Sequence, residues 1–455
     1  MTFQDTRQAC ARRVGLLCSA LLLSLAGIGL AHAGTCHVTS AGTSGGIGST
    51  WASPMDLQTA LSTPGCTEVW VAAGVYKPGS APTDAFSIRP GVAVYGGFAG
   101  TETSRGARDP ASNLTILSGD IDSNDSNTDG NNIDETSADI VGSNSDHVVT
   151  MDGTAGTPIT TTTVLDGFTI TGGAASESSR PGNLGGGLYC DGTGSGSECS
   201  PTLSNLSFSG NAAANSGGAV YGDGTDGASS PVLNSVTFTG NTAGSNGGAM
   251  LNDGTRGTSS PTLGNCTFSG NSAGLVGGAM FNEGFNGTSN PVLSNVTFSG
   301  NSGDIAGGIF GEDSSPTLSN VILWGDTDVQ GAPEIYTSQI SSTAVASIDH
   351  SIVQGSGGSG SWDTALGIDG GGNLDANPVL GALGNHGGST ATMLLGSGSA
   401  AIGSADPVTC ISAPVNGLDQ RGVFRFENNS ILCDIGAVEM QAVTDRIFAD
   451  GFEAN

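Results

Sequence analysis

The chain has 455 residues, 76 of them Gly, with 5% aromatic and 12% charged residues and a formal net charge of −29. Such acidity repels nucleic acid and anionic lipid, which excludes both as expected partners. Val, Ile, Leu and Phe recur at fixed places among Gly, Ser, Thr and Asn, which argues against disorder and for many short strands joined by turns.

Residues 1–33 read as a signal peptide. Arg7, Arg12 and Arg13 give the positive start, residues 14–30 the apolar stretch, and Ala31-His32-Ala33 a small-x-small cleavage site before Gly34. The apolar stretch is short for a transmembrane anchor, and no later segment is long and apolar enough to span a membrane as a helix. Cleavage removes Asp5 with the three arginines, leaving 9 basic and 40 acidic residues, a net charge of −31, and Lys77 as the one lysine. A surface of that sign favours cations, above all Ca²⁺ outside the cell. Seven cysteines remain. Cys36 with Cys66, Cys190 with Cys199 and Cys410 with Cys433 make three sequence-local couples, as an oxidising compartment allows.

Residues 34–150 are expected to form an N-terminal cap and the first, irregular coils of the fold developed below. Within them, Asp125-x-Asn127-x-Asp129-Gly130 sets three oxygen ligands at alternate positions before a turn-forming Gly, as calcium loops do. Thr136 stands where an EF-hand has its bidentate Glu, although Asp134 and Glu135 lie close by. A solvated Asn/Asp-rich loop fits the same residues.

Residues 151–355 carry the strongest signal, an internal repeat. Pro201-Thr-Leu-Ser-Asn-Leu-Ser-Phe-Ser-Gly-Asn211 returns at 231–241, 261–271 and 291–301, and a shortened copy, 316–326, follows after 25 residues. Gly217-Gly218, Gly247-Gly248, Gly277-Gly278 and Gly307-Gly308 run in step. Gly-Gly and Pro inside every unit exclude helical repeats. The expected fold is therefore all-β, a right-handed parallel β-helix with one coil per repeat and a small C-terminal module. Alternation within each coil places Leu206, Val236, Cys266 and Val296 in one interior column and Phe208, Phe238, Phe268 and Phe298 in the next. Cys266 then serves as a small buried hydrophobe. Asn211, Asn241, Asn271 and Asn301 form a column whose side-chain amides can bond to one another up the helix.

The register also stacks acids. Six residues after the first Gly of each pair stand Asp223, Asp253, Glu283 and Asp313. Solvated loop tips would tolerate this, whereas a shielded column would need raised pKa values or bound Ca²⁺. Catalytic chemistry finds little support in the residue types. Between Met151 and Gln330 the basic side chains are Arg180 and Arg256, and Arg256 occupies a loop place taken by Asp226 and Asn286 in neighbouring coils. His386 reads as a turn residue and Asp419 with Arg421 as a structural ion pair, so no catalytic residue is assigned.

Three resemblances add to this reading. The Gly-Gly-Ala and Phe-x-Gly-Asn pattern over 185–326 resembles the repeats of chlamydial-type polymorphic membrane proteins, which implies a right-handed β-helix at a cell surface. The remaining length holds no autotransporter barrel, a departure from that family. The stretches at 69–76, 88–98 and 165–173 look like opening coils of pectate-lyase-like proteins. Leu383-Gly-Asn-His-Gly-Gly-Ser-Thr390, Asp419-Gln-Arg-Gly422 and Cys433-Asp-Ile-Gly-Ala-Val-Glu439 resemble the choice-of-anchor Q module, taken as 356–440. The tail at 441–455 is similar to short sorting signatures of exported gammaproteobacterial proteins. Together they imply a non-catalytic secreted or cell-surface scaffold of a Gram-negative bacterium, used in adhesion to a host or neighbouring cell or in contact with extracellular polysaccharide. The alternative is a polysaccharide-degrading lyase or glycoside hydrolase.

Overall fold

The computed structural model describes residues 34–154, 156–331, 334–340, 343–426 and 432–440; the leader and the C-terminal tail read from the sequence lie outside the described residues. The chain is a right-handed parallel β-helix. Its first sheet has eleven strands, from Gly34–Thr43 to Ile368–Asp369, its second nine, from Gly74–Tyr76 to Ile352–Val353, and its third eight, from Phe86–Ser87 to Ile335–Ser338. A minor sheet of six two-residue strands runs from Ala174–Ala175 to Thr327–Asp328.

One coil shows how the sequence turns the corners. Thr202–Ser204 lies in the first sheet, Ser207–Ser209 in the second, Ala212–Ala213 in the minor sheet and Val220–Asp223 in the third. Asn205 between the first two strands has φ +50°, and Ser235, Asn265, Asn295 and Asn320 repeat that left-handed corner in later coils, a conformation Asn tolerates better than bulkier residues. At Gly218 a Cβ would sit 2.2 Å from the Gly248 carbonyl oxygen, so only Gly lets the coils stack there.

The interior is built of like-on-like columns. Leu203 pairs with Leu233, and Phe208 with Phe238, in parallel register thirty residues apart. The Phe rings at 208, 238, 268 and 298 stack with centroids 5.1, 4.5 and 4.6 Å apart and are fully buried. Burying one such ring stabilises by roughly 1.5–3 kcal/mol, with about 0.5–1.5 more from the aromatic pairing. Cys266 is the free, buried thiol of the neighbouring column, and burial pushes its pKa up to about 12. The Asn column forms the expected ladder. Nδ2 of Asn211, Asn241 and Asn271 donates to Oδ1 of the next Asn at 3.0, 2.9 and 2.8 Å, and Asn301 donates to Asp326 Oδ1 at 2.8 Å.

The ends are closed differently. The helix Leu57–Ser62 buries Leu57, Ala60 and Leu61 against the first coil, and Cys36–Cys66 ties that coil together. The other couples, Cys190–Cys199 and Cys410–Cys433, are also disulfides. At the far end the solenoid continues past residue 355, because Ile368–Asp369 pairs with Ser347–Asp349 in the first sheet. The remaining C-terminal segment folds back along the helix. Thr267 Oγ1 donates to Gln420 Oε1 at 2.6 Å, Gln420 Nε2 donates to Thr237 Oγ1 at 2.8 Å, and the Ala437 amide donates to Thr297 Oγ1 at 3.0 Å. Arg425, wholly buried, donates to Asn265 Oδ1 and to the carbonyls of Leu418, Asp434 and Gly436. Within this segment Asp419 and Arg421 form the expected ion pair at 2.7 Å, with both side chains buried.

Candidate functional site

The third sheet turns two columns outward. Each strand alternates in and out, so Val220 and Gly222 face the core while Tyr221 and Asp223 face away. In register, Tyr189, Tyr221, Leu251, Phe281 and Phe310 form an apolar column, and Asp191, Asp223, Asp253, Glu283 and Glu312 form an acidic one. Val276, Ile305 and Leu184 from the preceding turns pack on the apolar column and cover it.

The position expected for Asp313 is corrected here: Glu312, not Asp313, stands beside Glu283. The coil from Met280 to Ile309 has lost one residue, so the left-handed place held by Gly217, Gly247 and Gly277 falls on Ala306 rather than Gly307. Asp313 instead has φ +50° and accepts from the Ile340 amide at 2.8 Å. Nor are these acids loop tips at their centre, since Asp223 and Asp253 are 4% and 3% exposed.

Arg180, from the loop between Ala174–Ala175 and Leu188–Asp191, reaches over the columns. Its Nη2 lies 3.2 Å from Asp253 Oδ2 and 3.7 Å from Asp223 Oδ2, also donates to the Tyr221 hydroxyl, and its guanidinium lies 5.3 Å from the Tyr221 ring centroid. The Tyr221 hydroxyl donates to Asp253 Oδ2 at 2.7 Å and the Thr255 amide donates to Oδ1 at 3.1 Å. Tyr189 donates to Asp223 at 3.0 Å. Glu283 receives the Thr255 hydroxyl at 3.3 Å. Around these groups opens a cleft of about 320 Å³, lined by Arg180, Asn246, Leu251, Asp253, Thr255 and Glu283 among others, within the range of ligand clefts, roughly 300–1,000 Å³.

The environments split the carboxyls. Burial opposes ionisation of Asp253, but the Tyr221, Thr255 and Arg180 donors overcome it and hold its pKa below the ordinary carboxylate value. Burial raises Asp223. Burial, then the charges of Asp253 and Glu312, push Glu283 up to about 7. Adjacent groups thus differ in protonation near neutrality.

The calcium loop residues are divided by the structure. Asp125 and Asp134 turn inward and meet, both pKa values raised by burial first, with Asp125 adding to the rise at Asp134. Asp125 accepts from the Val141 amide and Asn144 Nδ2, each at 2.6 Å. Asp129 and Glu135 lie outside, bridged by Asn131 Nδ2 at 2.8 and 2.9 Å. Asn127 lines a second cleft, of about 370 Å³, with Asp120, Asp125, Asp134 and Lys77, whose Nζ is 2.7 Å from Ser123 Oγ and 3.3 Å from Asp120. Among the described residues no group of three or more His, Cys, Asp or Glu side chains is placed to hold a metal ion. Arg256, expected to be loop variation, lines the same cleft and is bonded through Nε and Nη2 to Asp226 at 2.8 and 2.6 Å. His386 Nε2 is buried without a hydrogen-bond partner.

Sequence reasoning noted Arg180 without giving it a place in the site, and missed Tyr221, Thr255 and Glu312. The Tyr could have been found by period-two counting back from each acid, and Glu312 by noticing the shortened turn. Arg180 could not be placed, because the loop that carries it lies 73 residues before its partner Asp253 in the chain.

The comparisons bear on the coil that contains this site. Residues 205–223 match the Chlamydia polymorphic membrane protein repeat. No curated protein matches the chain. Among solved structures, a crystal structure of pectate lyase Pel9A is similar at 13% identity and a TM-score of 0.42, covering 90% of this chain and 96% of that one.

Proposed function

We propose that this chain is an exported β-helix scaffold, secreted or displayed at a cell surface, that contacts neutral polysaccharide through the cleft on its third sheet. The observation that carries the reading is the repetition of polar groups along that cleft. Asp253 and Glu283 stand in register on adjacent strands, and Asn246, Thr255 and Arg180 line the same cleft. Carboxylates, amides and hydroxyls at a fixed spacing suit a ligand that repeats its own hydroxyls, and polar groups convergent on a cleft are what orient a ligand. The acidic column disfavours uronate polymers by charge. Three disulfides and a mature charge of −31 support export.

The test is a glycan array with the mature chain, followed by calorimetry. Binding to neutral glycans should fall at least about tenfold in a Thr255→Val plus Asn246→Ala double variant, the loss of two hydrogen bonds at about 1 kcal/mol each. Failure to retain any glycan, or undiminished binding by the double variant, would remove the cleft as the contact surface.

A further inference from the structure

The inward face of the third sheet carries a polar column of its own. Gly222, Asn252, Asn282, Gly311 and Thr337 stand there in one register. Asn252 and Asn282 are wholly buried, and Asn252 Nδ2 donates to Asn282 Oδ1 at 2.8 Å. Two amides joined by one bond leave an acceptor at one end and a donor at the other. The long Asn ladder closes both its ends, with Asn211 Oδ1 taking the Gly173 amide at 3.1 Å and Asn301 donating to Asp326. The short one does not. Asn252 Oδ1 and Asn282 Nδ2 are buried without a hydrogen-bond partner. At each end the next residue in register is Gly, and neither Gly222 nor Gly311 has the positive φ that would demand one. A Cβ on Gly222 would lie 3.0 Å from Ser229 Oγ, 3.4 Å from Ser259 Oγ and 3.8 Å from Asn252 Oδ1. A Cβ on Gly311 would lie 3.5 Å from Ser314 Oγ and 3.7 Å from Thr337 Cγ2. Ser229 Oγ and Thr337 Oγ1 are likewise buried and unpartnered.

We infer that each end of this short ladder binds one water molecule inside the solenoid. The site beside Gly222 offers Asn252 Oδ1, Ser229 Oγ and Ser259 Oγ. Ser259 gives its proton to the Gly222 and Ser229 carbonyls, at 3.2 and 2.9 Å, and keeps its lone pairs for the water. The site beside Gly311 offers Asn282 Nδ2, Thr337 Oγ1 and Ser314 Oγ, whose own proton goes to the Ser289 carbonyl. Each set has the roughly three polar groups that a buried water bonds. Water is the ligand that suits both ends, because it donates to the Asn252 oxygen and accepts from the Asn282 amide. A cation would suit only the first end and an anion only the second. Room for it follows from the register. One amide side chain reaches the next across a strand spacing of about 4.8 Å, and a side chain of that reach is what Gly222 and Gly311 leave out of the column. The waters finish what the period leaves open, since buried polar groups are normally bonded to protein or to ordered water.

The experiment joins a crystal structure of the mature chain at atomic resolution with water-oxygen magnetic relaxation dispersion, which counts waters that tumble with the protein. Density is expected within hydrogen-bond reach of Asn252 Oδ1 and Ser229 Oγ, and of Asn282 Nδ2 and Thr337 Oγ1. Gly222→Asn adds a rung to the ladder and should hold one long-lived water fewer than wild type. Gly222→Asn with Gly311→Asn should hold two fewer. Asn252→Leu plus Asn282→Leu replaces both amides by apolar groups of similar shape, which a core tolerates, and should also lose two. Gly270→Asn, on an exposed turn with nothing near its Cβ position, should lose none. The wild-type crystal decides the matter even where a variant does not fold. No density at either end, or an unchanged water count in every folded ladder variant, overturns the proposal. Density at one end alone overturns the site at the other. Density that grows when rubidium replaces sodium shows a cation beside Asn252 and overturns water there.

Discussion

Asn271 shows what one repeated residue contributes. Its Oδ1 accepts from the Asn241 amide and Asn241 Nδ2, and its Nδ2 donates to Asn301 Oδ1 and to the Phe238 carbonyl. All are buried, so each group left unpaired costs roughly 1–3 kcal/mol. Asn271→Ala should lower stability by about 3 kcal/mol or more in denaturant titration, while the same change at Asn131, on the exposed loop, should be within about 0.5 kcal/mol. Equal losses at the two positions would contradict the ladder's role. The ladder ends where Asp replaces Asn. Asp326 takes the last amide and faces Glu334, and burial raises the pKa of both, so the pair keeps a proton between them.

At the scale of an element, the C-terminal segment is held by polar contacts rather than by an apolar seam alone. Arg425 satisfies Asn265 and three backbone carbonyls, with Glu439 at 3.7 Å. Removing a buried, paired charge typically costs about 3–5 kcal/mol because its partners are stranded. The surface beneath carries Thr237, Thr267 and Thr297, whose hydroxyls water can satisfy. Arg425→Ala should therefore loosen the segment without unfolding the solenoid. Limited proteolysis should trim the chain between about 376 and 440 and leave a core with the wild-type melting temperature. A single cooperative loss of the whole chain would show instead that the segment and solenoid are one unit.

For the whole molecule the carboxyls set the response to pH. Glu283 is raised to about 7 by burial and the charges of Asp253 and Glu312, and Glu439 to about 8 by burial and the Asp434 charge. Burial also raises Asp223 and Asp434. Each binds its proton more tightly folded than unfolded. Its stabilisation is complete below the ordinary value, 4.5 for Glu, and is lost as pH rises through the folded value. Groups held low, such as Asp253 and Asp406, act oppositely and lose stabilisation only as pH falls through their depressed values. The melting temperature should accordingly be higher at pH 5 than at pH 8, helped by relief of the −29 charge. A flat or rising curve over that window, followed by calorimetry, would refute the balance.

The sequence by itself determined the solenoid and its columns, and offered the three cysteine couples that the structure shows to be bonded. A parallel stack places residues one period apart side by side, so Phe208, Phe238 and Phe268, or Asn211, Asn241 and Asn271, could be paired by counting alone. Counting failed where the period changed. One residue lost before Ile309 moved Glu312 into the column in place of Asp313, because in a strand a shift of one residue exchanges the inward and outward faces. The folded chain alone decided which outward columns are covered. Val276 and Ile305 close over the aromatic column, Arg180 reaches Asp253, and Gln420 and Ala437 bond to the Thr face. Val276 and Ile305 hold one repeat position, in register with Ser216 and Asn246, but the contacts of Arg180 and of the returning C-terminus have no period to count, and burial of a charge depends on what lies over it.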